Sequence, residues 1–199
     1  MSKLDDLIRD AYRMDATMLR QTIVAHPSGA HILASPQETL TPPLIPAPVM
    51  KQFVSLLRTM FDFTVVDLGY SASEAALQAI RLADEVVVVV RLEVPSLRLT
   101  RLFLRELVDR GVPPEKLRLV ANRYGQSRQF PWKQVQEVLG LPILVWLPDD
   151  CATVNRALTA GQPVFQVSRG GTLTRRFNEL ARHLNGAAPA DKAHKTTGV

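Results

Sequence analysis

The stretch FDFTVVDLGY, residues 61 to 70, sets an aspartate at the end of an apolar run and follows it with a glycine. Val65 and Val66 are β-branched and suit a strand, and Gly69 breaks it. Asp67 is therefore expected at the C-terminal tip of a buried strand over 63–68. Ligands of open parallel sheets sit beyond the C-terminal ends of the strands. Read in order, those ends are Asp67-Leu68-Gly69, Arg91 to Ser96, Asn122-Arg123 and Pro148-Asp149-Asp150. One carboxylate, one amide and an aspartate pair on one rim would suit a purine nucleotide with a metal. Aspartate can hold Mg²⁺ directly or through water, and asparagine can meet a base edge with a donor and an acceptor.

Each of these residues also has a purely structural reading. Asp149 or Asp150 can cap the helix expected to begin near Cys151, and Ser96, after Pro95, can cap the helix that follows it.

The elements that must position these residues follow from periodicity. Residues 3–24 read as one or two amphipathic helices, HPSG (26–29) as a turn and HILA (31–34) as a short strand. The proline-rich 35–48 reads as an extended surface loop, and a helix is expected over 49–60. Strand and helix then alternate: strand 63–68, helix 72–83, strand 85–91, helix 96–110, strand 117–122, helix 131–139, strand 142–147, helix 150–160. A last helix covers 172–184. The runs EVVVVV and LRLVAN are almost continuously apolar, as in strands covered on both faces. This order predicts a three-layer α/β/α domain with a mostly parallel sheet over 1–185. The residues 186–199 carry too little apolar content to fold and read as a disordered tail.

Composition narrows the class of protein. The chain has 199 residues, 46% hydrophobic and 22% charged, enough for one well-packed domain. Its longest apolar run, Val86 to Val90, falls far short of the roughly 20 residues that cross a bilayer, and the N-terminus lacks a secretory pattern. The single cysteine, Cys151, fits a cytoplasmic location. Arginine outnumbers lysine 18 to 6, giving a net charge of +5. Arg98, Arg101 and Arg105 recur as a basic stripe on one helix, and Arg175, Arg176 and Arg182 form a second cluster. No Ser/His/Asp or Cys/His arrangement is evident, so no catalytic residue is assigned.

The motifs FDFTVVDLGY, LADEVVVVVRLEVPSLRLTRLFLREL, KLRLVANRY, VLGLPILVWLPDD and VNRALTAGQPV, in that order, resemble the MinD/ParA-type ATPases, which have a P-loop NTPase fold. The resemblance is greatest to their pilus-assembly branch, the CpaE/TadZ proteins of Flp (Tad) pilus systems, and runs from about residue 3 to 184. It implies that Asp67 matches the Walker B aspartate that assists Mg²⁺, and that Asn122 matches the adenine-contacting asparagine with Arg123 beside it. Pro148 and Asp149 match the loop that closes over the base. ATP and Mg²⁺ are the cofactors implied. Pilus or secretion proteins and a second copy are the partners implied.

The family's phosphate loop has no counterpart. Gly29 is the only glycine before Asp67, and no lysine directly follows a glycine anywhere in the chain. A phosphate cradle needs glycines for converging backbone N–H groups, and a lysine to offset charge on the β- and γ-phosphates. The pair in SRGGTLTRR lies out of motif order, and a loop with Thr172 as N-cap explains it better. The family's first two strands are also missing, so the chain is expected to be an N-terminally truncated relative.

Three readings follow. One is a nucleotide-incompetent binding or positioning factor for a pilus or secretion complex. Another is the C-terminal part of an active ATPase whose phosphate loop lies upstream or on another chain. The third is nonspecific DNA binding of the ParA kind through the basic stripe. Membrane contact by the last helix is disfavoured, because its narrow apolar stripe is explained by packing on the sheet.

Overall fold

The computed structural model describes residues 8, 11–33, 45–69 and 73–186. Most of the expected proline-rich loop, and the expected tail beyond Gly186, lie outside the described residues. The chain divides into two compact units, one of residues 1–84 with 105–113 and one of residues 85–104 with 114–199.

In the first unit a 3₁₀ turn, Ala11–Arg13, precedes helix α1, Ala16–Thr22. The side chain of Asp15 caps α1 by accepting from Met18 N at 2.8 Å. Strands β1, Val24–Ala25, and β2, His31–Ile32, pair antiparallel around the expected turn. Helix α2, Ala47–Met60, and helix α3, Glu74–Leu82, follow. Met14, Leu19 and Phe53 form one buried cluster, and Met50 and Val54 of α2 meet Ala79 of α3 in another. Arg58 locks the end of α3 by donating to Leu82 O at 2.6 Å and pairing with Asp84 at 3.0 Å.

The expected strand over 63–68 is not formed. Residues 63–69 are described without helix or strand, and Phe63 and Val65 are 64% and 94% exposed. The side chains have strand-forming chemistry, but a strand exists only where a neighbouring backbone pairs with it, and none among the described residues does. Leu68 is the apolar anchor here, packed against the Met50–Val54–Ala79 cluster.

In the second unit, β3 (Val86–Arg91), β4 (Leu117–Tyr124) and β5 (Ile143–Pro148) form a parallel sheet in the order β3-β4-β5. β3 and β4 run in register from Val86↔Leu117 to Arg91↔Asn122, and β4 and β5 from Leu119↔Ile143 to Tyr124↔Pro148, with bulges between. Leu119, Val120 and Ala121 of the central strand are buried, as a near-continuous apolar run requires.

Helix α4, Val94–Asp109, connects β3 to β4, with its residues after Leu104 falling in the first unit. Helix α5, Trp132–Leu139, connects β4 to β5, and α6, Cys151–Ala160, follows β5. Both α5 and α6 end on glycines in the left-handed conformation, Gly140 (φ 69°) and Gly161 (φ 58°), which accommodate it without a Cβ penalty. A short helix not anticipated from sequence, α7 (Val164–Val167), leads into α8, Thr172–Leu184.

The N-cap of α8 is Gly171, not Thr172. A Cβ at residue 171 would collide with the Ser168 hydroxyl, and the Thr174 hydroxyl donates to Ser168 O at 2.6 Å, so the turn is built around a glycine. Leu173 joins Val120, Val145 and Leu147 in one cluster, with Leu180 packed against it. Leu173 and Leu180 of α8 are thus spent on the sheet, while Phe177 stays exposed.

Candidate functional site

Four of the five expected site residues, Asn122, Arg123, Pro148 and Asp149, lie in the second unit at the C-terminal ends of β4 and β5. The Tyr124↔Pro148 pairing holds those ends together, and Asp149 N donates to Tyr124 O at 3.0 Å just past it.

Asn122 Oδ1 accepts from the N–H of Arg123 at 2.9 Å, so one acceptor site of the expected base-reading amide serves its own backbone. Arg123 sits at φ 54°, a left-handed conformation uncommon for a residue with a Cβ. The loop closes on itself beyond this point: Gln129 Nε2 donates to Arg123 O at 2.6 Å, and Gly125 N donates to Gln129 Oε1 at 2.9 Å.

A chain of side chains crosses the rim. Arg91, at the tip of β3, pairs with Glu93 at 3.2 Å and donates through Nη2 to Gln126 Oε1 at 3.2 Å. Gln126 Nε2 donates to Asp149 Oδ2 at 2.8 Å, and Cys151 Sγ donates to Asp149 Oδ1 at 3.3 Å. The Gln126 amide, followed by the Cys151 thiol, holds the Asp149 carboxyl below its usual range, with Arg123 and Arg91 adding positive charge. In return, the Asp149 carboxylate raises the Cys151 thiol through its hydrogen bond and its charge. An exposed cysteine at a helix start is thereby kept protonated and weakly nucleophilic.

The capping alternatives divide. Asp150 is the N-cap of α6, its carboxylate accepting from Thr153 N at 3.0 Å, and the Thr153 side chain, followed by that backbone N–H, lowers its pKa. Asp149 faces the rim instead. Ser96 does not cap α4, which begins earlier, at Val94; its hydroxyl accepts from Arg91 N at 3.0 Å and fastens the strand tip to the helix. Gln126 carries no signal in the sequence, because a loop glutamine belongs to no spacing pattern.

Asp67 lies in the first unit. It is exposed, and its Oδ1 accepts from Gly69 N at 3.2 Å, an Asx-type turn at a glycine with φ 58°. Among the described residues no group of three or more His, Cys, Asp or Glu could hold a metal ion. Mg²⁺ in nucleotide sites is held by one or two carboxylates together with the phosphates. These 199 residues supply the carboxylate but no glycine and lysine cradle for phosphate, so the residues present do not fit a complete Mg²⁺-nucleotide.

Three of the six arginines of the basic stripe and cluster are committed. Arg105 pairs with Asp109 at 3.7 Å, Arg175 donates to Gly170 O and Thr172 Oγ1, and Arg176 pairs with Glu179 at 2.6 Å. Among the described residues no helix is long and apolar enough to cross a membrane.

No protein-family model matches the chain. It is 29% identical over 147 residues to the septum site-determining protein MinD of Buchnera aphidicola, a match covering 68% of this chain. The chain spans about half the length of that relative, 54%. Among solved structures, a ParA family ATPase from Chlorobium tepidum superposes with a TM-score of 0.81 at 22% identity, covering 93% of this chain and 76% of that one. MinD from Pyrococcus horikoshii, solved with Mg-ADP, gives 0.70 at 19% identity, covering 90% and 72%. The fold is the α/β fold with a parallel sheet of MinD/ParA P-loop NTPases, and the MinD relative supports that family.

Proposed function

We propose that this chain is a MinD/ParA-type protein of the CpaE/TadZ-like pilus-assembly branch, serving as a cytoplasmic binding or positioning component of a pilus or secretion complex. Its partners in this reading are proteins of that complex and a second copy of itself. The observation that carries it is the combination of this fold with a rim whose polar groups bond one another. Arg91, Gln126, Asp149 and Cys151 form one hydrogen-bonded chain, and Asn122 serves its own turn, while the sequence holds no phosphate loop. A fluorescent ATP analogue titrated with Mg²⁺ into the chain tests it. No saturable binding is expected, and micromolar, Mg²⁺-dependent affinity would overturn it.

A second reading draws on the exposure of Phe63 and Val65, residues suited to a covered strand. Here the chain is the C-terminal part of an active ATPase whose phosphate loop lies upstream or on another chain. Asp67 would then stand beside Mg²⁺, and Asn122, Arg123, Pro148 and Asp149 beside the base. An in-frame glycine-rich, lysine-bearing loop in the DNA just upstream is its expected signature. An unrelated gene or a stop codon there would count against it.

A further inference from the structure

The second unit carries an open groove between the first turns of α4 and helix α5. Val94 and Leu97 form one apolar wall, Phe130 and Val138 the other, and Arg98 and Arg101 stand along it. Val94, Phe130 and Val138 are between 40% and 50% exposed, so apolar surface is left facing water. The spacing of 94, 97, 98 and 101 puts these residues on one face of α4. The cavity, about 240 Å³, is smaller than the roughly 300–1,000 Å³ of small-molecule pockets, and it is open along its length. Such a shape admits side chains projecting from another surface more readily than it encloses a ligand.

Its charge identifies the occupant. Arg91, Arg105 and Arg118 each have a carboxylate partner. Arg98 and Arg101 have neither an ion pair nor a hydrogen bond among the described residues. Two unneutralised guanidinium groups beside an apolar trough complement a helix with apolar residues on one face and carboxylates at its margins. Duplex DNA would use the arginines and leave the trough empty. A bilayer needs a projecting apolar face, whereas this one is recessed. We infer that the α4–α5 groove docks an acidic amphipathic helix from a protein partner. This deepens the proposed function, resting on it only in that the chain acts through protein partners.

The test is fluorescence anisotropy with a labelled amphipathic peptide bearing leucines at i, i+3 and i+7 and glutamates flanking them. The same peptide with lysines for glutamates, a short random duplex DNA and phosphatidylglycerol vesicles are run beside it. The acidic peptide is expected to bind at least ~10-fold tighter than its lysine counterpart. R98E/R101E should invert that preference, and V138D, on the exposed wall, should weaken both peptides. Circular dichroism checks that the variants fold. Equal binding of the two peptides, binding of neither, or stronger binding of DNA or vesicles that R98E/R101E abolishes would each overturn the docking site. Mg-ATP titrated into the same samples keeps the two proposals distinct. Peptide binding together with ATP binding supports the groove and overturns the nucleotide-incompetent reading; loss of both overturns the groove alone.

Discussion

Gln126 Nε2 donates to Asp149 Oδ2 at 2.8 Å, tying the loop after β4 to the tip of β5. This one bond joins the two loops of the rim beyond the paired ends of β4 and β5. Gln126 is the leading cause of the lowered Asp149 pKa. In Q126A that pKa should rise toward the ordinary carboxylate value, read from the Asp149 side-chain carbon resonance during an NMR pH titration. A carboxyl with a depressed folded pKa contributes stability above its unfolded pKa and loses it as pH falls through the folded value. The stability gap between wild type and Q126A should therefore be present at neutral pH and close below the usual carboxylate range. An Asp149 titration unmoved in Q126A would show that the charges of Arg123 and Arg91 suffice.

The same carboxylate governs the neighbouring thiol. Asp149 raises the Cys151 pKa first by accepting its S–H and then by its charge. Replacing it in D149N removes the charge and should increase the thiolate fraction. Reaction with a disulfide reagent at pH 8 should then quicken by a few-fold, since the thiolate is the nucleophile. The wild-type thiol should react more slowly than a free cysteine under the same conditions. Equal rates in wild type and D149N would remove Asp149 from control of this group.

Thr100 of α4 is fully buried, and its hydroxyl has no hydrogen-bond partner among the described residues. A buried polar group without a partner costs about 1–3 kcal/mol in desolvation. T100V keeps the shape and β-branching and removes the unmet hydroxyl. Its urea-unfolding midpoint should equal or exceed that of wild type, by up to about 1 kcal/mol. A clear loss of stability in T100V would mean that the hydroxyl is satisfied in solution.

Much of the second unit was legible in sequence because its signals are redundant. Val86–Val90 and Leu119–Ala121 are unbroken apolar stretches inside their strands, and α8 begins and ends where its leucine spacing says it should. The choice of cap was not legible. Threonine is a good cap by type, but the helix begins at Thr172 itself and leaves the cap position to Gly171, whose close approach to the Ser168 hydroxyl only the three-dimensional path reveals. Gln126 was invisible for a related reason: its role comes from a loop that brings residue 126 to residue 149. Strand propensity misled most at Phe63 to Val66, because it describes side chains suited to a pleated surface and says nothing about whether neighbouring backbone is there to pair.

The exposure of the Phe63–Val66 stretch separates the two functional readings. Val65 is 94% exposed, so V65D should change the stability of this chain by no more than about 0.5 kcal/mol, as surface substitutions do. Leu119→Ala, in the fully buried centre of β4, provides the contrast and should cost about 2–5 kcal/mol. If another segment of a longer product or of a second chain covers the FDFTVV stretch, Val65 becomes a core residue of the completed assembly. V65D would then bury an unpaired carboxylate and be strongly destabilising there while remaining silent in the 199-residue chain. Urea unfolding of V65D in the isolated chain, and again in any assembly that binds ATP, reads both cases. A large loss in the isolated chain would mean that residues 63–66 already pair with a partner strand, which would return Asp67 to the strand tip that its sequence suggests.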